Sequence, residues 1–318
     1  MINRTLIRTK VVQTLFSHYY NEEGNSLLSS KKNLLDSFDD TYSLYMLMLD
    51  FVNEIVRAAD DKIAFEEERA KVLHQPYTAN VNFVNNRFAA QIFNNRVLRS
   101  YVDEHKLSWD AAHENVRLLW KQIQESNCYK EYMQIEQPTY QDDKTVWRKI
   151  VSDVLANNDD LCSALEELEV ALDHKDWTTD YNVVLSYIVK TIKRFQEDNG
   201  ANQALLEMFD SEEELNFGKQ LLKAAIDHYD EYTSLIEAHL QNWDINRIAY
   251  MDKIILLTAL AEILTCPNIP LEITMNEYIE IAKDYSTEKS YQFINAILDE
   301  IVRKLKKENK LLKAVVIN

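Results

Sequence analysis

The stretch Ile269-Pro270-Leu271-Glu272-Ile273-Thr274-Met275-Asn276-Glu277 is followed by Ile281-Ala282-Lys283 and then by Ser290-Tyr291-Gln292-Phe293-Ile294-Asn295-Ala296-Ile297-Leu298-Asp299. It reads as a loop feeding two amphipathic helices. Thr274 with Glu277 three residues later has capping-box spacing, which predicts a helix start at Thr274. Beyond it Tyr278, Ile281, Ala282 and Tyr285 recur at i, i+3, i+4 and i+7 and share one face. Ile294, Ile297, Leu298, Ile301, Val302 and Leu305 keep the same period for longer, with Lys289, Gln292, Asn295 and Asp299 on the other side. Phe293 precedes that stripe by one residue and so lies about 100° round the helix from it. An aromatic ring with Lys289, Gln292 and Asn295 within a turn is a set that can meet an unpaired nucleotide, through stacking and hydrogen bonds to base edges. The simpler reading of Phe293 is packing on a neighbouring helix.

Working outward, the 318 residues contain three glycines and four prolines, too few for the turns of a strand-rich fold. The expected fold class is therefore all-α, a helical bundle. The same shortage excludes a dinucleotide-binding GxGxxG loop and a Walker A loop. Cys128, Cys162 and Cys266 are scattered and odd in number, so neither a disulfide framework nor a zinc site is expected. None of the seven histidines has HExxH spacing, and acidic pairs such as Asp60-Asp61 and Asp159-Asp160 read as solvated caps. No catalytic residue, metal ligand or cofactor is expected. The amino terminus lacks the apolar core of a signal peptide, and the longest apolar run, 254–264, is interrupted by Thr258 and Glu262. A cytoplasmic protein with no membrane partner is expected.

The net charge of −17 is unevenly spread: residues 1–10 carry +3 and residues 303–318 carry +5, leaving −25 for residues 11–302. Charges fade within about 8 Å at physiological ionic strength, so a local basic patch can hold RNA despite an acidic body. Residues 4–20 read as an amphipathic helix with Ile7, Val11, Val12, Leu15, Phe16 and Tyr19 on a broad apolar face. Arg4 and Arg8 near its start oppose the helix dipole, at a cost of about a few tenths of a kcal/mol each unless an anion sits close by, and phosphate is one such anion. Residues 21–32 read as a loop, and 74–86 and 135–145 as interruptions between helices. One helical stretch is expected over 88–102, and 197–203 reads as a boundary.

Asn3-Arg4, Arg8, Val11-Val12-Gln13 and Leu15-Phe16 resemble the arginine-rich first helix of the NusB family of transcription antitermination factors. Ile254-Ile255-Leu256, Ala259-Leu260, Glu262-Ile263, Ile269-Pro270, Asn276-Glu277, Ala282-Lys283, Ser290, Phe293-Ile294-Asn295 and Ile297-Leu298-Asp299 follow the family pattern in order and spacing. The resemblance implies a NusB-like core made from residues 1–20 and 201–308, a large helical insertion over 21–200, and a basic tail over 309–318. It implies binding of boxA-type single-stranded RNA together with NusE, a small-subunit ribosomal protein, and indirect association with the RNA polymerase elongation complex on ribosomal RNA operons. Carried onto this sequence, Arg4 and Arg8 would meet phosphates, Lys283 and Lys289 would add charge, and Gln292, Phe293 and Asn295 would contact bases. Phe16 and Asp252 would belong to the partner surface. In this reading the two chain ends fold together into one basic platform carrying the Phe293 ring. Thr5, Leu6, Leu257 and Ala296 stand where the family is more often basic or has glycine. A helical interaction scaffold that has lost RNA binding is the competing function, and a homodimer through apolar helix faces is a further partner expectation.

Overall fold

The computed structural model describes residues 1–20, 26–240 and 248–311, and among them every regular element is helical. In chain order these are α1 (Arg4–Tyr20), α2 (Leu27–Val72), α3 (Arg87–Phe93), α4 (Arg96–His105), α5 (His113–Glu125), α6 (Asn127–Met133), α7 (Tyr140–Lys149), α8 (Asp159–Leu172) and α9 (Trp177–Arg194). They continue with α10 (Glu212–Asp227), α11 (Tyr229–Glu237), α12 (Tyr250–Thr265), α13 (Leu271–Tyr285) and α14 (Ser290–Lys307). A π-helical turn over Ile150–Leu155 and short 3₁₀ segments link some of them. None of the described helices is long and apolar enough to cross a membrane.

Two compact units divide the chain, one of residues 1–38 with 208–318 and the other of residues 39–207. In the first unit α12 is buried on every side from Ile254 to Ile263. A helix apolar all round belongs in a core, and α1, α10, α11, α13 and α14 cover it. Residue pairs set the directions. Phe16 meets Tyr250 and Arg8 meets Glu262, so α1 runs antiparallel to α12. Thr274 meets Glu262 and Ser286 meets Asp252, so α13 is also antiparallel to α12. Gly218 lets α1 and α10 approach closely, because a Cβ there would stand 2.9 Å from Ile7 Cγ2 and 3.4 Å from the Phe38 ring.

The second unit is built around α2 from Asp39 onward. It meets several later elements: Tyr45 bonds Thr191 at 2.8 Å, Thr41 bonds Asp180, and the Trp109 indole donates to the Leu47 backbone carbonyl at 3.1 Å. Phe83, Trp120, Tyr129, Tyr132 and Trp147 form an aromatic cluster, with ring centroids 5.1–6.3 Å from Phe83.

Four expectations about boundaries need correction. α13 begins at Leu271 rather than Thr274, because Pro270 breaks the preceding chain and the Thr274 hydroxyl is taken by the buried Glu262 carboxylate. Of the loop expected over 21–32, residues 21–25 lie outside the described residues, and α2 already starts at Leu27, where Ser26 and Ser29 cap each other's backbone N–H at 3.1 Å. The interruption expected over 135–145 ends at Thr139, which forms a capping box with Asp142, so Asp142 and Asp143 belong to the first turn of α7. The stretch expected over 88–102 is split at Asn94, since buried Asn95 caps α4 and donates to the Gln203 carbonyl.

Gly218→Ala should destabilise the protein by about 1–3 kcal/mol through overpacking of Ile7. A urea midpoint equal to that of the unaltered protein would remove the close α1–α10 approach from this account.

Candidate nucleic-acid interface

Two polar networks at opposite ends of α12 position the candidate residues of the first unit. At the C-terminal end sits Glu262, which is fully buried. A carboxylate in a dry core is tolerated only when its lone pairs are answered. Arg8 does so with two hydrogen bonds of 2.7 and 2.8 Å, Thr274 donates at 2.7 Å and Tyr278 at 3.0 Å. Arg8, only 2% exposed, also lies 3.3 Å from Glu277 and stands 5.4 Å over the Phe217 ring. Burial alone lowers the guanidinium's pKa, but bonding and charge from Glu262, aided by Tyr278 and Glu277, outweigh it and leave the pKa raised. Burial, with the charge of Glu262, holds the Tyr278 phenol well above its ordinary range.

Arg4 is one turn away and 33% exposed, with Nε 3.1 Å from Glu214, a terminal nitrogen 3.0 Å from Glu213, and its guanidinium 5.3 Å over the same Phe217 ring. The anions that offset the dipole cost of these two cations are thus carboxylates of this chain. Arg8 has no surface left for a phosphate in this arrangement, a correction to its expected role. Arg4 keeps partial access.

At the N-terminal end of α12, Asp252 is buried and accepts from Ser286 and, at 2.9 Å, from Ser290. Ser286 and Thr287 lie within hydrogen-bond distance of the Ser290 hydroxyl, at 3.0 and 2.7 Å. A negative charge at a helix N-terminus is favourable, so Asp252 pins the first turn of α14. This is an internal role for a residue expected on a partner surface. The pinned turn presents Lys289 and Phe293, which border a pocket of about 350 Å³ together with Ile248, Ala249, Asp252 and Ser290. Lys289 and Gln292 are exposed and Phe293 and Asn295 half-buried.

Lys283, exposed near the end of α13, reaches the first turn of α14 at Tyr291. Its ammonium bonds Glu280 at 2.6 Å, which raises its pKa, and stands 5.6 Å over the Tyr291 ring. The Tyr291 hydroxyl accepts from Gln292 at 3.0 Å. Tyr291 escaped the sequence reading because it lies off the apolar stripe and its contact is to a cation on the previous helix. Phe16 stacks on Tyr20 at 5.3 Å and meets Tyr250 edge-on at 5.4 Å. It therefore belongs to the same end of α12 as Asp252.

The structure thus brings Lys289 and Phe293 to one pocket with Gln292 exposed beside them, sets Lys283 against Tyr291, and leaves the arginines elsewhere. Arg8 is tied to Glu262, ten residues along α12 from Asp252, which at helical rise is about 15 Å. The single basic platform expected from the two chain ends is corrected to two separate groups, because Glu262 anchors one and Asp252 the other. Among the described residues no cluster of histidine, cysteine, aspartate or glutamate could hold a metal ion.

The NusB family model matches residues 184–303, from within α9 to within α14. The transcription antitermination protein NusB of Thermodesulfovibrio yellowstonii is 36% identical over 118 residues, which are 37% of this chain and 74% of that protein. NusB of Bacillus subtilis is 36% identical over 104 residues, 33% of this chain and 79% of that protein. NusB of Finegoldia magna is 38% identical over 99 residues, covering 31% and 71% respectively. A solved T. maritima NusB shares 29% identity over 37% of this chain and 82% of its own, with a TM-score of 0.29.

Asp252→Ala should cost about 1–3 kcal/mol by leaving the buried Ser290 hydroxyl and the half-buried Ser286 hydroxyl without their carboxylate acceptor. It should also speed amide hydrogen exchange over residues 289–293. Unchanged exchange there would show that Asp252 does not hold the head of α14.

Proposed function

Because this chain belongs to the NusB family, we propose that it is a non-catalytic transcription antitermination factor of the cytoplasm. In this reading it binds boxA-type single-stranded RNA together with NusE and reaches RNA polymerase through that complex, chiefly during ribosomal RNA transcription. The observation that carries it is the head of α14, where Lys289 and Phe293 edge one pocket and Gln292 is exposed beside them. A ring supplies a stacking face, an amide reads a base edge and a lysine meets a phosphate, which are the three elements of single-strand recognition. Lys283, set against Tyr291 on the same turn of α14, adds a second cation, Asn295 a second amide, and Arg4 a more distant charge.

The local charge is mixed, since Glu280, Asp284 and Glu288 alternate with Lys283 and Lys289. Affinity in this reading rests more on stacking and on the protein partner than on counterion release. With two lysines on phosphates, the logarithm of affinity should fall against the logarithm of salt with a slope of about −1 to −2. Titrating boxA RNA over a salt series, with and without NusE, measures this slope. Replacing Phe293 by Ala should weaken binding by about 1–3 kcal/mol in a variant that remains folded. RNA affinity unchanged by that substitution would remove the ring from the site.

One observation favours a second reading, in which the protein is an interaction scaffold without RNA affinity: both N-terminal arginines are engaged by internal carboxylates. Absence of salt-sensitive RNA binding, alone and with NusE, would select it.

A further inference from the structure

Beyond Asp60 every residue of α2 is at least partly exposed, and the segment after it carries large apolar side chains to the surface. Phe65, Val72, Leu73, Tyr77 and Val81 are each between 42% and 67% exposed, five large hydrophobic residues within seventeen positions. Scattered single apolar residues are ordinary on a protein surface, but Phe65, Val72 and Leu73 line one open depression together with Glu68 and Arg69. On the adjoining face of the same helix lies a pocket of about 190 Å³. Tyr77, Phe83, Trp120 and Tyr129 supply its aromatic lining, with Lys62 and Glu66 among its polar residues. Phe83 and Trp120 stack at 5.5 Å, and Tyr129 meets both edge-on, so the lining is rigid. The Trp120 indole N–H is buried without an acceptor among the described residues.

The electrostatics restrict what can dock. Residues 60–72 hold five acids and three bases. The bases are already engaged: Arg69 lies 3.5 Å from Glu66, Lys71 lies 3.6 Å from Glu68, and Lys62 donates to Gln124 at 3.0 Å. Asp60, Asp61 and Glu67 make no ion pair among the described residues, so the surface presents negative charge beside apolar side chains. That field repels nucleic acid and attracts cationic protein.

We propose that the distal part of α2 with residues 73–84 is a docking surface for a cationic segment of another protein. An aromatic or large aliphatic anchor of that segment enters the pocket lined by Tyr77, Phe83, Trp120 and Tyr129. A backbone carbonyl of the segment is a suitable acceptor for the Trp120 N–H, and lysines or arginines flanking the anchor face Asp60, Asp61 and Glu67. The surface lies outside the matched family residues, so it goes beyond the RNA-binding reading and does not depend on it.

Two short lysine- and arginine-rich peptides test this, one with a central tryptophan and one with alanine in its place, titrated by calorimetry against the full chain. The tryptophan peptide should bind at least about tenfold more tightly. Phe65→Ser and Glu67→Lys, both at exposed positions, should each weaken it by a similar factor while circular dichroism and the melting temperature stay unchanged. Equal binding of the two peptides, binding of neither, or indifference to both substitutions would overturn the proposal. Concentration-dependent dimerisation that Phe65→Ser abolishes would overturn it in favour of a second copy of this chain as the occupant.

Discussion

The arrangement of the first unit depends on the Arg8–Glu262 pair. Two charges removed from water are costly unless every donor and acceptor is answered, and here the carboxylate receives four hydrogen bonds from three side chains. Those donors come from α1 and α13, so satisfying one carboxylate fixes the register of two helices on α12. Apolar stripes can slide by a turn at modest cost, whereas a shift here would strand a charge in the core. The pair thus specifies which packing is adopted more than it adds to stability.

The same requirement explains why the candidate interface is confined to one end of α12. Arg8 is committed to the register network, and Arg4 is partly committed to Glu213 and Glu214. Asp252 performs the matching task at the other end by holding the first turn of α14, and Lys289 and Phe293 are carried on that turn. A site on a pinned helix terminus loses little freedom on binding, which suits recognition that relies on stacking more than on net charge.

The second unit has a different character. Its long helix has buried residues as far as Ala59 and none beyond, and its aromatic cluster opens towards that outer part. An extension that buried its apolar residues on itself would read as added core, yet Phe65, Val72 and Leu73 remain at the surface.

Much of this was legible in the residues alone. The scarcity of glycine and proline determined an all-helical chain, and the 3.6-residue period determined α1 from Arg4 to Tyr20 and the buried stripe of α14 from Ile294 to Leu305. Helix starts were less legible, for a physical reason. Thr139 with Asp142 and Thr274 with Glu277 have equivalent spacing, but only the first forms a cap, because Thr274 is drawn to a buried carboxylate twelve residues earlier in the chain. Local pattern can state that a hydroxyl is able to cap and cannot state whether a stronger acceptor lies within reach. The partners of the arginines were hidden in the same way: Arg8 and Glu262 are 254 residues apart, and charge patterning along a single helix carries no trace of such a pairing. Sequence by itself thus determined the fold class and the helical faces, and it named candidate residues for contact with RNA. Only the tertiary structure decided which of those residues are already spent on internal charges, since that depends on distances between segments that burial brings together.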